Sequence, residues 1–212
     1  MDHSLNVVSN RLPVVLERED GNWNLEAGSG GLVQAMLPLL ESRGGRWIGW
    51  PGTTEPPDSG WRRRLRDYSH DQPFDLVPVH QTPEEHEGFY AGFANRILWP
   101  LFHELFERCS FQRNYWETYR NVNEKFAQIV SGAHESGDTT WIHDYHLILV
   151  PRYLDPGVRE DPFGFFLHIP FPSFELLRNL PWRQELLEGI LGADLVGFHE
   201  YDYVRHFLSS VH

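Results

Sequence analysis

The chain has 212 residues and a formal charge of −12, with 30 Asp and Glu residues against 18 Lys and Arg residues. This balance argues against nucleic-acid binding, because phosphate backbones are bound through Lys and Arg. The length suits one domain with a full hydrophobic core, and Cys109, the single cysteine, excludes an internal disulfide and a cysteine-based zinc cluster.

The start of the chain, MDHSLNVVSNRLPV, lacks the features of a secretory signal. No uncharged apolar run in the sequence is long enough to cross a bilayer. We therefore expect a cytoplasmic protein that does not bind a membrane.

The first half of the chain predicts strands that alternate with helices. A strand at residues 5–9 is followed by a hairpin at 14–25, which turns at Asp20-Gly21-Asn22. A helical pattern is then built on Leu32, Ala35, Met36, Leu39 and Leu40. The remaining segments are a strand at 46–50, a loop in PGTTEPPDSG, a strand at 76–79, a helical stretch at 83–108 with an interruption at Pro100, and a helix at 115–132.

The second half continues the alternation. Buried strands are predicted at 139–142 and 163–167, a helix at 174–189, a strand at 195–198 and a closing helix at 201–211. Strands that alternate with helices are typical of a mainly parallel, doubly wound sheet. The sequence therefore predicts an α/β fold in one domain.

A glycine cluster, GSGG at residues 28–31, precedes the first predicted helix. Gly28, Gly30 and Gly31 would let backbone N–H groups approach a phosphate, and the start of a helix adds partial positive charge. The cluster matches neither the P-loop nor the dinucleotide fingerprint. From these residues alone, a plain flexible turn is the better interpretation.

Arg11 directly follows the first apolar strand. Its guanidinium group is suited to bind a phosphate or a carboxylate through two hydrogen bonds. An arginine in a solvated loop explains the position equally well.

The segment HDYH contains His143, Asp144 and His146. A metal site is disfavoured, because successive side chains of an extended segment point to opposite faces and no further ligands lie nearby. Asp144 is better suited to accept hydrogen bonds from sugar hydroxyls, since an ionised carboxylate offers only acceptors. Capping the helix that starts near Tyr145 is an alternative of similar weight.

His168 lies at the end of a strand that Pro170 and Pro172 prevent from continuing. A histidine there can donate a hydrogen bond to a reacting oxygen or a substrate hydroxyl, although most such residues belong to a core. Three aromatic residues beside polar loops suit contact with a sugar, with a core position as the alternative. These aromatic residues are Trp50, Tyr90 and Trp99.

Eight segments in this order resemble the trehalose-6-phosphate synthases of glycosyltransferase family 20. They are VVSNRLPV (7–14), SGGL (29–32), WIGWPG (47–52), FYAGFANRILWPLFH (89–103), YRNVNEKFA (119–127), WIHDYHL (141–147), HIPFP (168–172) and DLVGFHEYDYVRHFL (194–208). The resemblance covers nearly the whole chain, and eight ordered motifs are far more specific than any one of them.

The resemblance implies a retaining glycosyltransferase of the GT-B architecture, in which two Rossmann-like domains enclose the active site. The family transfers glucose from UDP-glucose to glucose 6-phosphate, with no metal and no other cofactor. The leaving diphosphate helps to deprotonate the acceptor hydroxyl, so no carboxylate nucleophile is required. Catalysis then depends on positioning and electrostatic stabilisation.

The resemblance also implies a role for each matching residue. Arg11 would bind the phosphate of the acceptor, and Gly30 and Gly31 would lie against the phosphates of the donor. His168 would contact the donor glucose, and His168 and Asp144 are the expected catalytic residues. The expected lining of the glucose 6-phosphate pocket is Trp50, Tyr90, Trp99 and Asp144.

Motifs of the second, nucleotide-sugar-binding domain of the family are not found in the sequence. We therefore expect residues 1–212 to form a single acceptor-binding domain, the N-terminal half of the enzyme, present as a fragment, a truncated form or one half of a split protein. Alone it would bind glucose 6-phosphate weakly and turn over little or nothing. Two alternative functions remain open, a glucosylglycerol-phosphate synthase and a non-catalytic sugar-phosphate-binding module. Assembly into a homo-oligomer is also open.

Overall fold

Strands of one parallel sheet occupy the centre of the computed structural model, which describes residues 4–211. The strands are β1 (Leu5–Arg11), β2 (Val14–Glu19), β3 (Asn22–Ala27), β4 (Gly45–Trp50), β5 (Phe74–Pro78), β6 (Thr139–His143), β7 (Phe163–Leu167) and β8 (Leu195–Phe198). Six of them form the sheet in the order β5-β4-β1-β6-β7-β8, and all neighbours are parallel. β2 and β3 form a separate antiparallel hairpin.

Helices connect the parallel strands. They are α1 (Gly31–Arg43), α2 (Ser59–His70), α3 (Pro83–His86), α4 (Trp99–Phe102), α5 (Arg113–Ala133), α6 (Val150–Tyr153), α7 (Phe174–Leu177), α8 (Arg183–Ile190) and α9 (Tyr201–Val211). A π-helix, Glu87–Leu98, joins α3 to α4, and a 3₁₀ turn, Tyr145–Leu147, follows β6. None of the helices described in residues 4–211 is both long and apolar enough to span a membrane.

The strand order places a topological switch between β1 and β6. From β1 the chain moves outward through β4 and β5, then returns to the other side of β1 and moves outward again through β6, β7 and β8. Helices that leave the two sides in opposite directions open a crevice at the carboxyl ends of β1 and β6, where ligands of such sheets bind. The predicted doubly wound, Rossmann-like α/β fold is confirmed.

The core lies on both faces of the sheet. Val7 and Trp47 belong to one buried cluster, with side chains of α1 and α2, whereas Val8 and Ile48 belong to another, with the π-helix and α5. Successive residues of a strand point to opposite faces, which explains the division. The two packed layers hold β1 and β6 rigidly, so the residues that follow these strands have fixed positions.

The structure corrects the prediction of a loop through PGTTEPPDSG. The loop ends at Asp58, whose side chain accepts a hydrogen bond from the Trp61 N–H and so caps α2. α2 was not predicted, because its sequence SGWRRRLRDYSH buries only Trp61 and Leu65. Two apolar residues four positions apart give too weak a periodic signal.

The predicted interruption at Pro100 is wrong in position. Pro100 lies where the π-helix passes into α4, and the helical stretch runs on to Phe102. The Arg96 carbonyl, four residues earlier, accepts from the Ser110 N–H, so the missing N–H of Pro100 leaves it satisfied. The break follows at Glu104, which has a positive φ of 62°. The predicted helix at 174–189 is divided in the structure into α7 and α8, with Pro181 between them.

Candidate functional site

A cavity of about 500 Å³ lies at the carboxyl ends of β1 and β6. Its lining includes residues 28–31, Arg11, Tyr90, Asp144 and His146. Residues of β1, the glycine loop, the π-helix and the β6 end therefore meet in one place. Five residues predicted from the sequence, Arg11, Gly30, Gly31, Tyr90 and Asp144, are brought together here.

Arg11 is the last residue of β1, and its side chain is exposed. The guanidinium carbon lies 5.2 Å from the Trp50 ring centre and 5.6 Å from the Tyr90 ring centre. Such cation–π contacts hold the group in place without neutralising it. Within residues 4–211 no carboxylate lies at ion-pair distance from Arg11. Arg11 therefore brings a positive charge without a direct ion-pair partner to a cavity that Glu17, Glu26 and Asp144 also line.

The backbone under Arg11 is fixed by buried hydrogen bonds. The Ser9 hydroxyl donates to the Arg11 carbonyl at 2.7 Å, and the indole N–H of the fully buried Trp47 donates to that hydroxyl at 2.8 Å. The pairing of β1 with β4 shifts register between Val8 and Arg11. This irregularity changes the direction of the strand end, which is a common role of bulges near active sites.

An aromatic stack lies beside Arg11; Tyr90 and His146 line the first cavity, whereas Trp50 and His86 lie outside the lining of both cavities. The ring centres are 4.5 Å apart for Trp50 and His86, 5.0 Å for His86 and Tyr90, and 5.5 Å for Tyr90 and His146. Burial, with the Arg11 charge as a second cause, lowers the pKa of His86 and lowers that of His146 to about 3. The His146 ring is therefore neutral at neutral pH.

The glycine loop leads into the N-terminus of α1. Gly30, the N-cap residue, has φ 141° and ψ 159°, a conformation that is available only to glycine. No side chain caps α1, and its first turn contains no acidic residue. A Cβ atom placed on Gly30 or Gly31 would have no neighbour within 4 Å. The first turn of the 13-residue helix thus borders the cavity with open space at both glycines, and the N–H groups of a helix start suit an anion.

Asp144 has a strained backbone, with φ 76° and ψ 169°. Its N–H donates to the Phe166 carbonyl at 2.8 Å, and its Oδ1 accepts from the His168 N–H at 3.2 Å. Burial raises the pKa of Asp144 to about 6, although hydrogen bonds from the Tyr145 and His168 N–H groups act in the opposite direction. The side chain makes no N-cap hydrogen bond to the later residues of the 3₁₀ turn, so the expected helix cap is not formed.

A second cavity, of about 630 Å³, adjoins the first. Asp144, His143 and Gly31 line both cavities, and His168, Phe166 and Trp141 line only the second. Burial, together with the nearby His199, lowers the pKa of His168 to about 4. His168 therefore occupies the predicted position at a strand end and is neutral at neutral pH.

Trp99 lies outside the lining of both cavities. Its ring stacks on His103 with centres 4.1 Å apart, and 39% of its surface is exposed. His103 likewise lies outside the lining of both cavities. The structure does not bring Trp99 into contact with Arg11 or the glycine loop.

Sequence reasoning missed His86, His103 and His199. His199 follows β8 as His168 follows β7, so the rule that selected His168 would also have selected His199. His86 is the last residue of α3 and His103 directly follows α4, so neither had a comparable signal.

The two histidines of HDYH do not converge. Both side chains line the first cavity, but His143 contacts His168, whereas His146 stacks on Tyr90. In the part of the chain that the structure describes, no group of three or more His, Cys, Asp or Glu side chains could hold a metal ion.

Known proteins are similar to this chain in sequence and in fold. The model of glycosyltransferase family 20 matches residues 3–212. The UDP-forming alpha,alpha-trehalose-phosphate synthase of Emericella nidulans is 43% identical over 211 residues, which are 96% of this chain and 41% of that protein. The chain spans about two fifths of the length of such relatives.

Solved structures give the same result. The UDP-forming synthase of Burkholderia xenovorans in complex with glucose-6-phosphate superposes with a TM-score of 0.76 at 29% identity, over 96% of this chain and 42% of that chain. The trehalose-6-phosphate protein of E. coli bound with UDP-2-fluoro glucose superposes with a TM-score of 0.79 at 30% identity. The match covers 98% of this chain and 42% of that chain.

Proposed function

The chain belongs to glycosyltransferase family 20, and from this premise we propose that residues 1–212 form the acceptor-binding domain of a retaining glucosyltransferase. The reaction would transfer glucose from UDP-glucose to glucose 6-phosphate, giving trehalose 6-phosphate and UDP. The observation that carries the proposal is the position of Arg11, a cation without a direct ion-pair partner among residues 4–211, held over two aromatic rings in a cavity that also contains the glycine loop. A cytoplasmic location and the lack of a cofactor belong to the same proposal.

In this proposal the first cavity takes the acceptor. Arg11 binds the phosphate of glucose 6-phosphate, and a charge-assisted contact of this kind contributes about 1.5–3 kcal/mol. Tyr90 and Trp50 keep the guanidinium in place. Asp144 accepts hydrogen bonds from hydroxyls of the sugar ring, because its ionised form has only acceptors to offer. Trp99 closes the outer edge of the acceptor site, where it stacks on His103.

The donor lies between the two cavities. The N–H groups at the start of α1, beside Gly30 and Gly31, bind the diphosphate, and the glucose enters the second cavity next to His168. Asp144 lines both cavities, so it lies where the acceptor hydroxyl meets the anomeric carbon of the donor.

The chemistry follows from this arrangement. The bond between the anomeric carbon and the diphosphate oxygen breaks, the acceptor oxygen bonds to the same face of that carbon, and its proton passes to the departing diphosphate. The Asp144 carboxylate, mostly ionised above its pKa of about 6, stabilises the positive charge that develops on the sugar. No carboxylate acts as nucleophile.

A titration of the 212-residue chain tests the acceptor. Thermal unfolding is followed with glucose 6-phosphate, glucose, glycerol 3-phosphate and inorganic phosphate, since a ligand that binds the native state raises the melting temperature. Glucose 6-phosphate should give the largest increase. A larger increase with glycerol 3-phosphate would instead favour a glucosylglycerol-phosphate synthase, and no response to any sugar phosphate would contradict the proposal.

A further inference from the structure

His143 and His168 share one hydrogen bond at the ends of two neighbouring strands. His143 is the last residue of β6, and His168 follows β7. Nδ1 of His143 lies 3.0 Å from Nε2 of His168. His143 is 1% exposed, whereas His168 lines the second cavity. His143 also borders both cavities, but almost none of its surface is accessible, so a nearly inaccessible ring contacts a more accessible one.

Both rings are neutral at neutral pH. Burial, with His168 as a second cause, lowers the pKa of His143 to about 3, and burial lowers that of His168 to about 4. A neutral imidazole has one N–H donor and one bare nitrogen acceptor. Two arrangements are then open, with the shared proton on Nδ1 of His143 or on Nε2 of His168.

The other nitrogen of His143 decides between them. Nε2 of His143 is buried and has no hydrogen-bond partner among residues 4–211. If His143 accepted the shared bond, its own proton would be on Nε2 as a buried N–H without an acceptor. If His143 donates, Nε2 is a bare acceptor. In protein backbones, buried N–H groups without a partner are rarer than under-satisfied acceptors. We extend this preference to the two imidazole nitrogens, which favours donation by His143.

We propose that His143 is a positioning residue, which donates from Nδ1 to Nε2 of His168 and so places the proton of His168 on its Nδ1. Nδ1 of His168 has no partner within the described part of the chain, and the side chain lines the second cavity. His168 is thereby a neutral hydrogen-bond donor to an oxygen atom in that cavity. That this oxygen belongs to a donor sugar rests on the proposed function; the proton position does not.

The tautomer is measured directly on the unliganded 212-residue chain. Long-range ¹H–¹⁵N correlation spectra of histidine side chains distinguish a protonated from a bare ring nitrogen, and the His168 signals are assigned by their loss in His168→Ala. The proton of His168 should be on Nδ1, with a bare Nε2. A proton on Nε2, or a mixture of both forms, would overturn the proposal.

A matched pair of variants separates positioning from packing. His143→Asn keeps an N–H donor near the position of Nδ1, whereas His143→Leu has a similar volume and no donor. The proton of His168 should stay on Nδ1 in His143→Asn. In His143→Leu it should no longer be confined to Nδ1, and both tautomers should be seen. If His143→Leu does not fold, the spectra of the unmutated chain and of His143→Asn still test the proposal, because a proton on Nε2 of His168 in either would overturn it.

Catalysis provides an independent readout. In an active enzyme that contains this domain, His143→Leu should lower kcat by roughly 3- to 10-fold, the value of one hydrogen bond, and His143→Asn should restore most of it. The spectra need no substrate. A failure of glucose 6-phosphate binding would therefore refute the proposed function and leave the tautomer result intact. A proton on Nε2 of His168 would refute the positioning role of His143 and leave the proposed function intact.

Discussion

The backbone N–H of His168 donates a hydrogen bond to Oδ1 of Asp144, 3.2 Å away, and so joins the ends of β7 and β6. Asp144 accepts this bond from a strained backbone, with φ 76°, and its carboxyl group has a pKa raised to about 6 by burial. Strain and burial of a charge both oppose folding. Residues of this kind cluster at functional sites, which agrees with the role proposed for Asp144.

Asp144→Asn should stabilise the protein at neutral pH. The Asp144 pKa is about 6 in the folded chain against 3.8 for an unperturbed carboxyl group, so the carboxylate lowers stability above pH 6 and has no such effect below pH 3.8. At one pKa unit per 1.36 kcal/mol, the gain at pH 8 approaches about 3 kcal/mol and shrinks towards pH 5. Urea unfolding of Asp144→Asn and of the unmutated chain at pH 8 and pH 5 measures this gain in the free energy of unfolding.

The control for this prediction is Asp67→Asn, at an exposed position on α2. It should change stability little at either pH. An equal gain from Asp144→Asn at pH 5 and pH 8 would mean that the carboxylate charge is not the cause. The same variant should bind glucose 6-phosphate more weakly, because an amide offers one acceptor oxygen in place of two.

Much of the fold was predictable, because the parallel strands are short apolar runs that end in polar residues. Val7 and Val8 on β1 and Phe165 on β7 are fully or almost fully buried, so both faces of these strands are apolar and the pattern is strong. α2 escaped prediction because it buries only Trp61 and Leu65. The π-helix had no signal in the residue pattern, since its hydrogen bonds and not its composition distinguish it.

Arg11→Met should weaken glucose 6-phosphate binding by roughly 10- to 150-fold, the equivalent of about 1.5–3 kcal/mol. Methionine keeps an unbranched stem against Trp50 and Tyr90 but removes the charge. Arg11→Lys should give an intermediate value, because an ammonium group cannot form the paired hydrogen bonds of a guanidinium. Calorimetric titration measures the affinities.

Two comparisons make the Arg11 result specific. Arg113→Met removes an arginine that pairs with Glu117 on the surface of α5, and it should leave the affinity unchanged. Binding of glucose, which has no phosphate, should be equally weak in Arg11→Met and in the unmutated chain. A loss of affinity for both sugars would indicate a folding defect and not a lost phosphate contact.

Gly31→Ala should block the donor phosphates without destabilising the fold. Gly31 begins α1 with a negative φ, and an added Cβ has no neighbour within 4 Å. Alanine at such a position stabilises by about 0.4–1 kcal/mol, because the unfolded chain loses freedom. Gly30→Ala, at φ 141°, should destabilise. Melting temperatures and UDP-glucose titrations test both; unchanged UDP-glucose binding by Gly31→Ala would contradict the proposed role of the loop.

The site was only partly predictable, because its parts are distant in sequence. Arg11, Asp144 and His168 each follow a strand, and the carboxyl ends of parallel strands meet at one edge of the sheet. The stack of His86 between Trp50 and Tyr90 joins segments that only the packed fold brings together. The left-handed backbone of Asp144 also had no signal, since aspartate seldom adopts it.

The buried histidines should make the protein unstable in acid. His143 and His146 have pKa values of about 3 in the folded chain against 6.5 for unperturbed histidine. Their contribution to stability is therefore complete above pH 6.5 and is lost as the pH falls towards 3. By pH 5 each group lowers the free energy of unfolding by roughly 2 kcal/mol, and Asp144 offsets only part of this loss.

His146→Phe tests this contribution, because phenylalanine can stack on Tyr90 and does not titrate. The fall in unfolding free energy between pH 7 and pH 5, measured in urea, should be smaller by roughly 2 kcal/mol in His146→Phe. His70→Gln, at an exposed position near the end of α2, should leave the fall unchanged. If His146→Phe and the unmutated chain lose stability equally over this range, His146 does not contribute to acid sensitivity, and the loss must come from other groups.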